Sequence, residues 1–556
     1  MLTPPLVRWG VVVLPALAAG IASVLAPRRD RVVVLLACVA FGLHASLYWP
    51  FTVDDAFITF RFARSWMDGL GPVFQSGPRI EGVTSLGWTA LLALAGAAGV
   101  PIEVAAKLMG VLAGAAALPA THAIALRLTG RARFAAAATL MLALSPMFAC
   151  WSVAGMETPL FAALVAWGAC ARLEGRRLLG VPLDALLLGL SVWIRPEGVL
   201  VGALVWLALV AERRPGTPRA ALVWAVTAIA ASLPFWLARW NWYGAFVPNT
   251  FYAKMPHLAQ RLHAGGRSLL EFASEMGPWT WIPLAASLVR LRKPEAPERL
   301  AWLLLASFAG YVAWSGGDVL HLRFFVHMLP LCAALWAAGI ATLLAPWLGA
   351  PHPVPARPLR RGAAAAGQPR QPVPAGSRMA LAALLVAAAC ASGAARYARA
   401  LESHAQFGPG YVVNNARNVQ EVSLPLGEWL RVHAPANAQL ATWDIGGIGW
   451  ASRLPILDLY GLTDRTIARL IHSGAPLDRR IEYVMAARPE LIVTYARTDG
   501  PVWSWLEPAA DSIEANYQLH SLWQAKTGGY WLVLLKRNDI ELPPLAEAES
   551  PPAAPR

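Results

Sequence analysis

Charge is what this sequence has least of. Asp, Glu, Lys and Arg make up 14% of its 556 residues while 57% are hydrophobic, against about a quarter charged in an ordinary soluble domain. A water-soluble chain this apolar would lack the polar surface to cover its cores, which excludes the usual globular enzyme or binding module. Cysteine is scarce as well. The five present (Cys38, Cys150, Cys170, Cys332 and Cys390) lie in or at the ends of apolar runs. That excludes a disulfide framework and a cysteine-based metal site, and leaves them as small packing residues. Acids are outnumbered, giving a net charge of +14. The arginines crowd short loops between apolar runs, which excludes a nucleic-acid-binding stripe and fits the positive-inside rule.

Long apolar runs are what the chain has instead. Residues 32–48, 134–151, 220–238 and 379–394 contain no Asp, Glu, Lys or Arg, and most are about long enough to cross a bilayer core. The basic loops are 28–31, 127–133, 172–177, 212–219, 290–299 and 351–378. Placing all six in the cytoplasm gives spans at 9–26, 32–50, 102–126, 134–151, 158–173, 178–195, 197–211, 220–240, 276–290, 300–314, 325–347 and 379–397, with both termini outside. The first of these resembles a signal sequence but ends on no small-residue cleavage site, so it reads as a retained span. Residues 84–99 read as a juxtamembrane or re-entrant helix.

The expected fold class is therefore a polytopic all-α transmembrane bundle of about twelve spans with a C-terminal extracytoplasmic α/β domain. The bundle runs over 1–397, with a first outer loop at 51–83 and a Pro-, Ala- and Gly-rich cytoplasmic linker at 351–378. The outer domain covers 398–540, where strand-like runs at 439–443, 455–459, 491–495 and 530–535 alternate with helical patterns at 419–432 and 479–487. Residues 541–556 read as a disordered tail.

The polar residues hardest to explain as packing fall in the outer loops. Asp54 and Asp55 end an apolar run, and Arg61, Arg64 and Arg79 follow on the side where arginine is rare, with Glu81 close behind. One Asp suffices for a helix N-cap; a second acid beside three bases fits a general base next to a phosphate site better. Glu157 sits at a span end and doubles as an N-cap candidate. Arg195 and Glu197 interrupt an apolar stretch, as a buried ion pair or as substrate contacts. Asn249 and Lys254 lie in an aromatic-rich segment. Asp318, His321 and Arg323 follow a double glycine; the first two offer a divalent metal a pair of ligands, short of a full set, and Arg323 suits a phosphate.

Chemistry assigns the roles. An anionic, phosphate-bearing substrate beside a general base calls for one carboxylate to take a proton, Asp54 or Asp55, and cations facing the phosphate: Arg323, Lys254, Arg61 and Arg64. Glu81, Glu157, Arg195, Asn249, Asp318 and His321 complete the candidate substrate-binding set. A transporter is the rival reading, although no repeat relates the two halves and the polar residues gather at one face. A non-catalytic envelope-assembly protein is the other.

The string DDAFITFRFAR at 54–64, with GPRIEGVTS at 77–85, resembles membrane-embedded glycosyltransferases of the GT-C type, and in particular the terminal β-(1→2)-arabinofuranosyltransferase family. The strings GMETPLF, RPEG, WYGAFVPNTFYAK, GGDVLHLRF, DIGGIGW and LDLYGLTDRTIA continue the resemblance in the same order to about residue 470. It implies a GT-C fold in a bacterial inner membrane, with an extracytoplasmic active site in which Asp54 or Asp55 is the first-loop acid. It also implies a polyprenyl-phosphate-linked sugar donor, with a pentofuranose such as arabinofuranose among the sugars the resemblance suggests, and an envelope glycan or glycolipid acceptor. Phe62, Val83 and His327 depart from the related pattern, which bears on the sugar and acceptor more than on the reaction.

Overall fold

The computed structural model describes residues 30–212, 216–254, 258–293, 296–317, 322–347, 416–497, 506, 509–525 and 530–545. The expected spans 9–26 and 379–397, the linker 351–378, and the candidates Asp318 and His321 lie outside these residues. The bundle contains α1 (Asp30–Ser46), α2 (Asp54–Met67), α3 (Leu86–Ala97), α4 (Ile102–Thr129), α5 (Ala132–Ala143), α6 (Pro146–Val153) and α7 (Thr158–Glu174). A two-residue hairpin, β1 (Arg177–Leu178) and β2 (Val181–Pro182), leads into α8 (Leu183–Ile194) and α9 (Gly198–Ala211). Next come α10 (Thr217–Tyr243), α11 (Asn249–Lys254), α12 (Leu258–Met276), α13 (Pro278–Ser287), α14 (Glu298–Ser315) and, after a 3-10 turn at Arg323–Met328, α15 (Leu329–Leu343).

Among the described residues, three helical runs are long and apolar enough to cross a bilayer: α4, α10 and Arg323–Leu343. The pair α5 and α6, bent by 52°, adds a fourth if it is one span. The bend corrects the straight span expected over 134–151. Ser145 caps α6 by accepting from the Phe148 N–H, and Pro146 opens it, so an uninterrupted apolar run is broken by its backbone. Similarly, the span expected at 178–195 starts with the hairpin, and its helix is only twelve residues long. The outward stripe of α10 explains the bilayer preference. Leu222, Val226, Ile229, Leu233, Leu237 and Trp240 recur at helical spacing and are each at least 45% exposed. Water would make this an aggregation surface, whereas lipid tails match it. Inside, backbones touch: a Cβ on Gly339 of α15 would fall 1.7 Å from the Pro283 carbonyl of α13.

Residues 416–545 fold around a five-stranded mixed sheet. A π-helical turn (Val419–Ser423) leads into α16 (Leu424–His433), then β3 (Leu440–Thr442), α17 (Gly447–Ser452), β4 (Ile456–Asp458), α18 (Arg465–His472), α19 (Leu477–Ala487), β5 (Leu491–Arg497), α20 (Ala510–Asn516), β6 (Tyr517–Gln524) and β7 (Tyr530–Arg537). The strand order is β4-β3-β5-β7-β6. The short strand β3 lies inside the sheet, second from its β4 edge, and is parallel to both neighbours, with Ala441 opposite Leu457 and Ile492; β7 pairs antiparallel with β5 and β6. One face packs on Leu457, Ile467, Ile481, Val484 and Ile513. The other shares a core with the bundle, where Ile58, Phe62, Phe74, Phe235 and Tyr243 join Leu426, Leu440, Ile448 and Ile456. Residues 541–545, expected to belong to a disordered tail, are in place: Leu542 and Leu545 pack against that shared core, and the Pro543 carbonyl meets His520 Nε2 at 3.0 Å.

Candidate active site

Lys107 of α4 sets the position of the first loop. Its ammonium donates to the Trp49 carbonyl at 2.6 Å, and Glu103 one turn earlier accepts from the Thr52 hydroxyl at 2.7 Å. The chain then turns into α2, whose N-cap is Val53, with no side-chain cap. Asp54 is therefore not the cap. Its Oδ1 reaches across to accept from the Gly447 N–H at 2.7 Å, at the start of α17. Gly446 must be glycine there, since a Cβ would fall 2.2 Å from the Asp54 carboxylate. Burial pushes the Asp54 carboxyl up to about 8; the nearby Asp444 and Asp55 charges add to this, and the Gly447 and Gly446 N–H groups oppose it.

Asp55 has different company. Its Oδ2 lies 3.7 Å from Arg323 Nη1 and 3.8 Å from Lys254 Nζ. These contacts are longer than hydrogen bonds, so both cations sit around the carboxylate without being consumed by it. Arg323 is also fixed by Met156, whose Sδ lies 3.0 Å from Nη1. Asp444, just after β3, accepts from the Tyr495 hydroxyl, and burial raises its carboxyl, followed by the Asp55 charge. Tyr460 is 43% exposed and packs edge-on to Trp443 at 5.5 Å. Its hydroxyl is held above the ordinary range by burial and then by Asp55, Asp444 and Asp458. Two parallel strands thus deliver Asp444 and the loop 459–464 from their carboxyl ends, where ligands meet open α/β sheets.

Four candidates are held in contacts away from the Asp55 carboxylate. Arg61 donates from Nε, Nη1 and Nη2 to the carbonyls of Phe74, Gly449 and Leu454 at 2.9, 2.6 and 2.7 Å. With every nitrogen committed to backbone, it corrects its assignment as a phosphate ligand. Arg64 lies 3.2 Å over the Trp450 ring and donates to its carbonyl, away from Asp55's two cations. Glu81 is a buried partner of Arg239 at 2.7 Å. Asn249 donates from Nδ2 to the carbonyls of Gly461, Leu462 and Asp464, and its own N–H donates to the Glu81 carbonyl.

Glu157 and Arg195 belong to a buried network. Arg195 bridges Glu157 at 2.6 Å and Glu197 at 2.8 Å, and the Tyr311 hydroxyl donates to Glu197 at 2.9 Å. Paired and hydrogen-bonded, these charges meet the condition for burial in an apolar bundle. Asp458 organises the loop after β4, accepting from the N–H groups of Tyr460, Gly461 and Thr463. Burial outweighs those bonds and pushes its carboxyl up to about 6. Among the described residues, no group of three or more His, Cys, Asp and Glu could hold a metal ion. Sequence reading takes Asp444 for a solvated surface acid, which its burial and its bond from Tyr495 correct, and does not single out Tyr495. The available signal was an acid placed immediately after a strand inside the sheet.

An acid pair at the foot of a helical bundle with membrane-length apolar helices, roofed by an α/β domain, is an arrangement this chain shares with a protein of known structure. ArnT from Cupriavidus metallidurans, in a crystal structure with bound undecaprenyl phosphate, superposes with a TM-score of 0.54 at 12% identity, covering 93% of this chain and 99% of that one. By sequence, this chain is similar to two terminal β-(1→2)-arabinofuranosyltransferases. It is 25% identical to that of Mycobacterium tuberculosis over 365 residues, 56% of each chain. It is 24% identical to that of Corynebacterium glutamicum over 371 residues, 56% of this chain and 52% of the relative. The alignments thus span about half the length of these relatives. Residues 413–535 match a domain of unknown function, DUF8728.

Proposed function

We propose that the protein is an inverting membrane glycosyltransferase. It moves a sugar from a polyprenyl-phosphate donor to a glycan or glycolipid acceptor of the cell envelope, with the site and the α/β domain on the extracytoplasmic face of a bundle of about twelve spans. The observation that carries this is the Asp55 carboxylate set between Arg323 and Lys254, beside the acids Asp54 and Asp444. The arabinofuranosyltransferase relatives support a pentofuranose as the sugar, and the ArnT likeness supports the lipid phosphate as its carrier.

Asp55 is the base in this reading. It takes the proton of the acceptor hydroxyl as the new O–C1 bond forms and the bond from C1 to the phosphate oxygen breaks. The departing phosphate keeps the electron pair, and Arg323 and Lys254 stabilise its charge. Attack from the opposite side inverts the anomeric carbon. Asp54, largely protonated near neutral pH, holds the Gly446–Gly447 backbone against the site and acts as a positioning residue. Of the other candidates, Glu157 and Arg195 hold the bundle under Arg323, and Glu81 and Asn249 hold the loops together.

The test is sugar transfer by purified protein from a panel of polyprenyl-phosphate sugars. Asp55→Asn should lower turnover by about a hundredfold or more, and Asp54→Asn by less. Arg323→Lys should also impair transfer, because an ammonium cannot reproduce the guanidinium fork. Equal transfer by wild type and Asp55→Asn would overturn the assignment, and passage of substrate across a sealed vesicle without covalent change would favour a transporter.

A further inference from the structure

A second cluster of cations lies apart from the acid pair. A cavity of about 460 Å³ opens between the far end of α2, the start of α16 and α17, and its polar lining is Arg64, Gln420, Glu428, Arg431, Trp450 and Arg453. Arg64 stands nine residues beyond Asp55 on the same helix, about 14 Å along its axis. Three guanidiniums therefore face one carboxylate. Arg431 is tied to Glu428. Arg64 is pinned flat on Trp450 and uses only Nη1 in a hydrogen bond among the described residues. Arg453 is exposed, in a left-handed conformation at φ 59° that a non-glycine residue adopts at a cost. Burial, and after it the Arg453 charge, pulls the Arg64 guanidinium down to about 10. Solvated arginines ordinarily spread apart; here two like charges are held close over an aromatic floor, with a single acid on the rim.

We propose that this cavity binds a phosphate ester group, separately from the phosphate contacts assigned to Arg323 and Lys254. Guanidinium forks match phosphate oxygens in pairs, and the bound anion removes the repulsion between Arg64 and Arg453. A lipid headgroup and a soluble phosphate ester present the same chemistry. The proposal concerns binding and stands whether or not the transfer reading does.

The test is calorimetric titration of the full-length protein in detergent with inorganic phosphate. Arg431→Gln combined with Arg453→Asn should weaken binding by about tenfold or more, as expected for losing two charge-assisted hydrogen bonds. Asn tolerates the left-handed backbone at 453, so the fold is kept. Glu428→Gln deletes the competing acid and should tighten binding, a change that misfolding does not mimic. Native mass spectrometry with phosphatidylglycerol against phosphatidylcholine then names the source. Selective retention of phosphatidylglycerol, lost in the double variant, identifies a headgroup; phosphate binding without it identifies a soluble ester. Phosphate affinity unchanged in the double variant, no tightening in Glu428→Gln, or loss of binding in Arg323→Lys instead overturns the proposal.

Discussion

Asp54 and Asp55 are neighbours in sequence and opposites in surroundings. One turns into the α/β domain and is dehydrated there; the other turns toward Arg323 and Lys254. Folding raises the Asp54 carboxyl to about 8 from its ordinary value of 3.8. Between those values the folded protein holds a proton that the unfolded chain has released, so this residue lowers stability as pH rises from about 4 to about 8. Asp54→Asn keeps an acceptor for the Gly447 N–H and removes the ionisation. Its melting temperature in detergent should exceed that of wild type at pH 8 and converge on it near pH 4. A constant offset at both pH values would refute the assignment. Residue-level reading found this acid pair because two carboxylates after an apolar run have no packing explanation. It misplaced Arg61 and Asn249, because the carbonyls they serve at 449, 454 and 461–464 come hundreds of residues or a whole domain later.

At the scale of elements, the α2–α17 junction is a backbone approach that leaves no room for a side chain. Gly446→Ala should push the Asp54 carboxylate away, and turnover should fall severalfold or more while the bundle still inserts and folds. Normal turnover in that variant would show that the junction tolerates a shift. The buried pair of Glu81 and Arg239 joins the first loop to α10. Glu81→Ala leaves a buried guanidinium without its counter-charge and should cost about 3–5 kcal/mol, measurable as a lowered melting temperature. Element boundaries were legible where the pattern was unbroken. The runs at 439–443, 455–459, 491–495 and 530–535 contain β3, β4, the first part of β5 and most of β7. Strand β6 escaped notice because Gln518, His520 and Ser521 dilute its alternation, and a bulge shifts its register between Leu519 and Ser521. The bend at Ser145–Pro146 escaped because hydropathy does not register a broken backbone inside an apolar run.

For the molecule as a whole, the apolar core shared by bundle and domain makes the two a single body. Arg61 is its clasp, with three hydrogen bonds that join α2 to its own following loop and to the segment around α17. Arg61→Gln should loosen the domain, and limited proteolysis should then cut near residue 416 faster than in wild type. Unchanged cleavage would show that the apolar contacts suffice alone.

That clasp also sets a clock for biosynthesis. Asp54 and the glycine that holds it are 393 residues apart, so at ordinary synthesis rates about 20–80 s separate the making of one from the making of the other. Throughout that interval the first loop has already been made, its acids unroofed and its arginine unsatisfied. A chain stopped between residues 347 and 447 carries most of the membrane bundle and both cations that face Asp55, yet lacks the roof that holds the acid pair in place. The activity proposed here would therefore appear all at once, only after residue 447 has been made, and a copy stopped before it would be inert in the membrane.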